Sequence, residues 1–386
     1  MSSCTIEPKD NPVCLPNKTV EPTITFVTRK GTLMRFTKFG MLLLTSCVLA
    51  APVFELAEVP QPEPYTFLRN QLKFSRAELL TLEDGKIIVR LPETPEAREV
   101  AAFAIARLDV TKEFFVQRVR DIVNFKKSEH VLQIGKFSSP PRLQDLSGLT
   151  LDQVDIDGIK ACRIKDCDFK MSAKFIDRFR REVDWSAANH RDKVTELVRE
   201  MLLDHVQSYL KSGNASLGKY DDKSYSLTLA EELRPLLKPA PYMYGYAPEF
   251  QKYLEEFPQG RPANAAILED FLYWSKEDFG LKPVTSVTHV TIYKGSPGNG
   301  ADVIVGSKGI YGSHYFESSL GLTAFVHSRA PDPARSYLIY VNRSRTDALR
   351  GLFGGWKRSL IGGRLRDGAR KSMEAIKVKL ESEYGN

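Results

Sequence analysis

The side chains best suited to proton transfer, or to holding a polar group, cluster late in the sequence: His314 and Glu317 in GSHYFESSLG, and His327 in AFVHSR. An imidazole titrates near neutrality and can donate or accept a hydrogen bond. Pointing inward from neighbouring strands, His314 and His327 would stand beside Tyr315, Glu317 or Tyr340. Such a set suits general acid and base chemistry on a bound substrate, or simple contact with a polar head group. The plainer reading is two histidines satisfied in a core or at a sheet edge. The other four, His130, His190, His205 and His289, show no metal spacing such as H-E-x-x-H. No G-x-S-x-G elbow, glycine-rich phosphate loop or paired-cysteine zinc motif occurs, so neither a metal nor a cofactor is expected.

Of five cysteines, Cys4, Cys14 and Cys47 lie in the first fifty residues, leaving Cys162 and Cys167 in CRIKDC. An even pair in an exported chain reads as a disulfide. A redox pair would have two intervening residues rather than four, and no nearby histidine completes a zinc set.

A second feature is the stretch expected to form the terminal helix. Gly351, Gly355, Ser359 and Gly363 recur every four residues, which leaves one helix stripe nearly bare. Glycine costs about 1 kcal/mol relative to alanine in a helix, so the stripe calls for a reason. Close approach to a sheet is one, and the open floor of a cavity is another. Between Arg343 and Lys379 eleven Lys/Arg stand against three acids, a net +8, with Leu349, Leu352, Phe353, Trp356, Leu360 and Ile361 on another face. Arg350, Lys357, Arg358, Arg364 and Arg366 are therefore candidates for contact with an anionic membrane surface. The alternative is a solvated polar face. The aromatic-rich segment 240–257, with Tyr242, Tyr244, Tyr246, Phe250, Tyr253 and Phe257, suits either the mouth of a pocket or a loop packed onto helices.

The elements that must position these residues follow from hydrophobic period. Strands are predicted at 86–91, 100–108 and 131–137, with a helix capped at Asp109 or Thr111 and running to about Phe125. A helical insertion is expected at about 171–280, with faces at Phe175, Ile176 and Phe179 and from Val194 to Leu210, and shorter helices at Leu229–Leu237, Glu249–Glu256 and Ala266–Phe279. Alternation then predicts strands at Val284–Lys294, Asp302–Tyr311, His314–His327 and Ser336–Asn342, joined by short turns as an antiparallel meander. One long helix, Thr346–Glu383, closes the chain.

With 42% apolar, 10% aromatic and 27% charged residues in 386, the chain is neither disordered, fibrous nor multi-span. Its one membrane-like stretch, Phe39–Phe54, is 16 residues long, short of the roughly 20 a spanning helix needs. Behind Arg29, Lys30, Arg35 and Lys38 it reads as a signal peptide, with a cleavage site at Val48-Leu49-Ala50 and Met34 as an alternative start. Leu44–Cys47 resembles a lipobox that would lipidate Cys47, and an uncleaved anchor is the third reading. Residues 1–50 are thus a leader and 51–85, with the proline-rich 58–67, an extended tether to a domain at 86–386. The net charge of +7 divides into +3 on residues 1–50, +8 on 343–379 and −4 on the rest. Export also removes the chain from nucleic acid.

Strand, helix, strand, then a late antiparallel meander and a long terminal helix: this α+β order resembles the helix-grip fold of the START and polyketide-cyclase superfamily. The local likeness is best over Tyr337–Leu365, YLIYVNRSRTDALRGLFGGWKRSLIGGRL, where a last strand runs through a polar turn into a Trp-containing amphipathic helix. The resemblance implies a sheet curled around the terminal helix, with an apolar cavity for a lipid or other apolar small molecule between them. His314, Glu317, His327, Tyr340, Trp356, Gly351, Gly355 and Gly363 are then the candidate lining. An enzyme of the same fold, a cyclase or hydrolase using His314, His327 or Glu317, is the second reading. A non-catalytic protein of the cell envelope is the third.

Overall fold

The computed structural model describes residues 65–386 apart from 71, 239–246, 263–265, 296–300, 328–334, 350–353 and 386, and omits the side chains of 354–357, 359 and 360. The leader with Met34 and Cys47, and the loop tyrosines Tyr242, Tyr244 and Tyr246, lie outside the described residues.

Two short helices come first, α1 (Tyr65–Asn70) and α2 (Arg76–Glu83), then strands β1 (Ile88–Arg90) and β2 (Glu99–Leu108). Helices α3 (Lys112–Arg120) and α4 (Ile122–Lys126) lead to β3 (Val131–Lys136). A helical insertion follows: α5 (Gln153–Ala161), α6 (Ala173–Glu182), α7 (His190–Ser212), the two-residue strands β4 (Lys219–Tyr220) and β5 (Leu227–Thr228), α8 (Leu229–Leu237) and α9 (Pro248–Glu256). Strands β6 (Ile267–Glu277), β7 (Val284–Lys294), β8 (Val303–Gly312), β9 (Phe316–His327) and β10 (Ser336–Thr346) then run as a meander into α10 (Gly354–Tyr384).

The molecule is built on one eight-stranded antiparallel sheet in the order β1-β2-β10-β9-β8-β7-β6-β3. Strand β2, EVAAFAIARL, reads as a continuous apolar run because both faces are covered. Phe103 and Ile105 join the core shared with α1, α2 and the insertion. Ala104, Ala106 and Leu108 join a second core with Phe115, Val116 and Val119 of α3 and Met373 and Leu380 of α10. Small side chains on that side of β2 let the terminal helix lie close along it. The insertion and α10 thus occupy opposite faces of the sheet.

Several expectations are corrected. Residues 267–277, expected as helix, are strand β6, which pairs with β3 on one side and β7 on the other. The run FLYW carries no decisive period, because Phe271 and Tyr273 enter one core and Leu272 and Trp274 the other. The insertion starts earlier than about 171, at a 3-10 turn Leu143–Leu146 and α5, and its helices end at Glu256. Within the expected tether, α1 and α2 form because Leu68 and Leu82 are fully buried and Ser75 makes a reciprocal capping box with Glu78. Phe250, Tyr253 and Phe257 pack into the core beneath the insertion rather than around an opening. Helix α7 stops at Gly213, whose φ of 63° and close approach to the Phe257 carbonyl exclude a side chain.

Candidate functional site

Side chains on a strand alternate between faces, so the two cores fix which residues look toward α10. At one end of that face Leu338, Phe325, Val303, Ile292 and Val290 are buried against α3 and the C-terminal half of α10. Toward the other end the same face changes character. Strand β10 presents Tyr340, Asn342 and Ser344, β9 presents Thr323 and Ser319, β8 presents Ser307, β7 presents Thr288 and Ser286, and β6 presents Tyr273, Ser275 and Glu277. Ser286, Thr288, Ser307, Ser319, Thr323, Tyr340 and Asn342 are only half-buried, although hydrogen-bonded strands flank them on both sides. Among the described residues, the layer above them does not close over this half of the sheet.

At its margin an ion pair is built into the floor. Lys126, at the end of α4, donates to Glu277 Oε1 at 2.7 Å and to Tyr273 Oη at 3.3 Å. Ser275 Oγ donates to the same carboxylate oxygen at 2.6 Å and lies 3.2 Å from Ser286 Oγ. Ser344 Oγ donates to Asn342 Oδ1 at 2.8 Å. Burial opposes charge on both partners of the pair, but each outweighs it for the other. The Lys126 ammonium is held well above its usual pKa, and the Glu277 carboxyl below its own. Burial raises the Tyr340 phenol, with the Lys126 charge pulling the other way. The floor is thus a fixed cation, a fixed anion and a row of hydroxyls. That is chemistry for holding a polar group; a general acid or base needs a pKa near the working pH.

The opposite face carries a different network, sealed under α7 and α9. His289 Nδ1 lies 2.8 Å from Tyr209 Oη, and its Nε2 lies 3.0 Å from Asp270 Oδ1. Tyr253 and Thr291 also donate to Asp270, at 2.7 and 2.6 Å. His289, Tyr209 and Tyr253 are buried, and burial lowers the His289 pKa. This chain of donors and acceptors joins the insertion to the sheet and leaves its histidine no room for a substrate.

The histidines expected to face a ligand lie elsewhere. His314, before β9, is buried on the insertion side, with Nε2 3.0 Å from Asp155 Oδ1 and Nδ1 2.9 Å from the Asp168 carbonyl. His327 ends β9, where its backbone N–H donates to Asp302 Oδ2 at 2.7 Å and Nδ1 lies 3.4 Å from Ser336 Oγ. The length of β9 separates them. Glu317 is buried and bound by Arg98 at 2.5 Å, in a network where Glu232 also takes Arg98 and Arg345. Of these residues only Tyr340 stands on the half-open floor.

Gly355, Trp356 and Lys357 belong to the first turn of α10, their side chains outside the described set, and Arg350 and Gly351 are outside the described residues altogether. A side chain built on Gly363 meets nothing within 4 Å, whereas one on Gly362 comes 3.3 Å from Leu91. Close approach therefore falls at Gly362, beside the expected stripe. Arg364 and Arg366 are exposed. Arg358 instead binds inward, donating to Thr94 Oγ1 at 3.0 Å and to the carbonyls of Glu96, Ala97 and Glu99 at 3.0, 2.8 and 2.8 Å. Arg343 and Arg345, counted with the basic helix, lie on β10 and pair with Glu99 and Glu232.

Cys162 and Cys167 form a disulfide, which fits an oxidising compartment. Among the described residues no helix is long and apolar enough to cross a membrane, and no group of three or more His, Cys, Asp or Glu side chains converges as for a metal. Reasoning from sequence missed Lys126, Tyr273 and Glu277. Lys126 sits in an unremarkable FKK, and the other two fell in the segment expected as helix. Their signal is the alternation Phe271, Tyr273, Ser275, Glu277, legible only once the segment is read as a strand. No protein-family model matches the chain, and a search of curated proteins finds no match.

Proposed function

We propose that this is an exported binding protein that holds a small amphipathic molecule, lipid-like in having an apolar part, between strands β6–β10 and the first half of α10. The observation that carries the reading is the half-exposed row from Ser286 to Asn342 in the middle of the sheet, on the face toward the terminal helix. Its polar lining gives the expected apolar cavity a second, polar end, on other residues than His314, Glu317 and His327. The ligand's polar group lies over the hydroxyls and the Lys126–Glu277 pair, and its apolar part toward the first half of α10. The helix-grip likeness is supported by strand order: β2, helices α3 and α4, β3, then the meander β6–β10 and α10, with the insertion placed between β3 and β6. Pick-up of the ligand at an anionic membrane surface, through Arg364, Arg366 and the basic residues before them, belongs to the same proposal. A binder is favoured over a cyclase or hydrolase because Lys126 and Glu277 both stay ionised through neutrality.

The test is organic extraction and native mass spectrometry of the purified chain 51–386, followed by titration with a dansyl-labelled medium-chain fatty acid. Saturable binding is expected, weakened about tenfold by Ser307→Arg, which fills the floor without touching the ion pair. An empty extract together with no saturable binding overturns the proposal.

A further inference from the structure

Among the described residues, the β1 edge of the sheet is unpaired and lines a groove beside α10. Among the described residues strand β1 pairs only with β2, through Ile88↔Ile105, Val89↔Ala104 and Arg90↔Phe103. The Ile87 carbonyl already points away from β2, since it accepts from Arg370 Nη1 at 3.1 Å. Backbone direction alternates along a strand, so the N–H and C=O of Val89 face the same way. They open into a groove of about 600 Å³ lined by Thr81, Lys86, Val89, Arg370, Lys377 and Val378. Its walls are α2 on one side and the C-terminal half of α10 on the other. One large apolar side chain of the lining stands in the open, Val378 at 67% exposure.

The charges select the occupant. Lys377 is committed to the Arg107 carbonyl, at 2.7 Å, and to Glu381. Lys86 and the rest of the Arg370 guanidinium have no further partner among the described residues, and Glu374 is the one acid in the lining. Short length and a neighbouring lysine protect a sheet edge from pairing with other copies; beside them this edge sets an outward backbone pair, one exposed apolar side chain and two cations in a single groove.

We infer that the β1 edge is a docking site for an extended acidic peptide of a partner protein, which adds as a further strand. Its backbone pairs with Val89, one apolar side chain rests on Val378, and an acidic side chain meets Arg370 and Lys86. The site is separate from the floor beneath the first half of α10 and stands or falls independently of it.

The probe is a fluorescein-labelled peptide of repeating Glu-Thr-Val-Thr, the Glu/Val peptide, whose Glu and Val side chains share one face of a strand as Arg370 and Val378 share α10; it is titrated by anisotropy against the chain 51–386. Controls are the Lys/Val peptide and the Glu/Val peptide N-methylated at every second amide, which cannot pair as a strand. The Glu/Val peptide is expected to bind at least about tenfold tighter than either control. Arg370→Glu and Val378→Glu, both on exposed positions, are each expected to weaken it about tenfold, and Val89→Pro, which deletes the outward N–H, to do the same. Equal binding of the N-methylated peptide, unchanged affinity in the two surface variants, or no binding below about 1 mM each overturns the inference.

Discussion

Lys308 Nζ lies 2.8 Å from Asn214 Oδ1, so a lysine from the middle of the sheet reaches the turn that ends α7. Its other acceptor is the Leu254 carbonyl at 3.1 Å, and the rings of Tyr209 and Phe257 stand 5.2 Å away. The side chain is fully buried, and burial brings its pKa down to about 7 against the opposing pull of Asp270. The folded value lies below the unfolded 10.5, so between the two the unfolded chain binds more protons. Stability should therefore rise with pH through that window, by up to about 1.4 kcal/mol per pH unit. Lys308→Met should remove the rise. Urea unfolding from neutral pH to pH 9 measures it, and parallel curves for the two proteins would refute the assignment.

The Lys126–Glu277 pair should behave as a coupled unit. Lys126→Met and Glu277→Gln are each expected to destabilise, with a coupling energy of roughly 1–3 kcal/mol in a double-mutant cycle. Because the Glu277 pKa is lowered, its contribution is present above the unfolded carboxylate value and lost as pH falls through the folded one. Additive single effects would show that the pair contributes nothing.

Arg358 fastens the segment between β1 and β2 through Thr94 and three carbonyls. Arg358→Ala should cost about 1–3 kcal/mol and expose residues 94–98 to trypsin at Arg98. Limited proteolysis followed by mass spectrometry reads this directly; an unchanged cleavage rate at Arg98 counts against it.

The Cys162–Cys167 bond closes a loop with a sequence separation of only 5. Its entropic contribution is therefore small, about 2 kcal/mol. Reductant, or a Cys162→Ser/Cys167→Ser double variant, should lower stability by that amount in chemical unfolding without loss of the sheet's circular dichroism. Complete unfolding in reductant would show that the loop carries far more of the structure.

Much of the scaffold was legible in the sequence. Alternation in VTSVTHVTIYK marked β7 to the residue, and Thr111 announced α3 by its side-chain cap, which accepts from Phe114 N–H. The apolar run 100–108 was recognisable as a buried strand. Segment 267–277 was not, because a strand covered on both faces and a buried helix share the same composition. Its neighbours β3 and β7 decide the matter, and β3 lies more than a hundred residues earlier in the chain.

The candidate site divides in the same way. By itself the sequence determined the meander, the terminal helix apart from its start, which falls at Gly354 rather than Thr346, the cysteine pair and the presence of Tyr340 on a late strand, since these depend on local period, spacing and residue type. Which face of each strand meets which layer was decided only by the tertiary structure. Parity sorts side chains into two sets, but it does not say which set faces α10 and which the insertion. That choice placed Lys126, Tyr273 and Glu277 with Tyr340 on the half-open floor, and sent His314 and Glu317 to partners more than a hundred residues away in sequence.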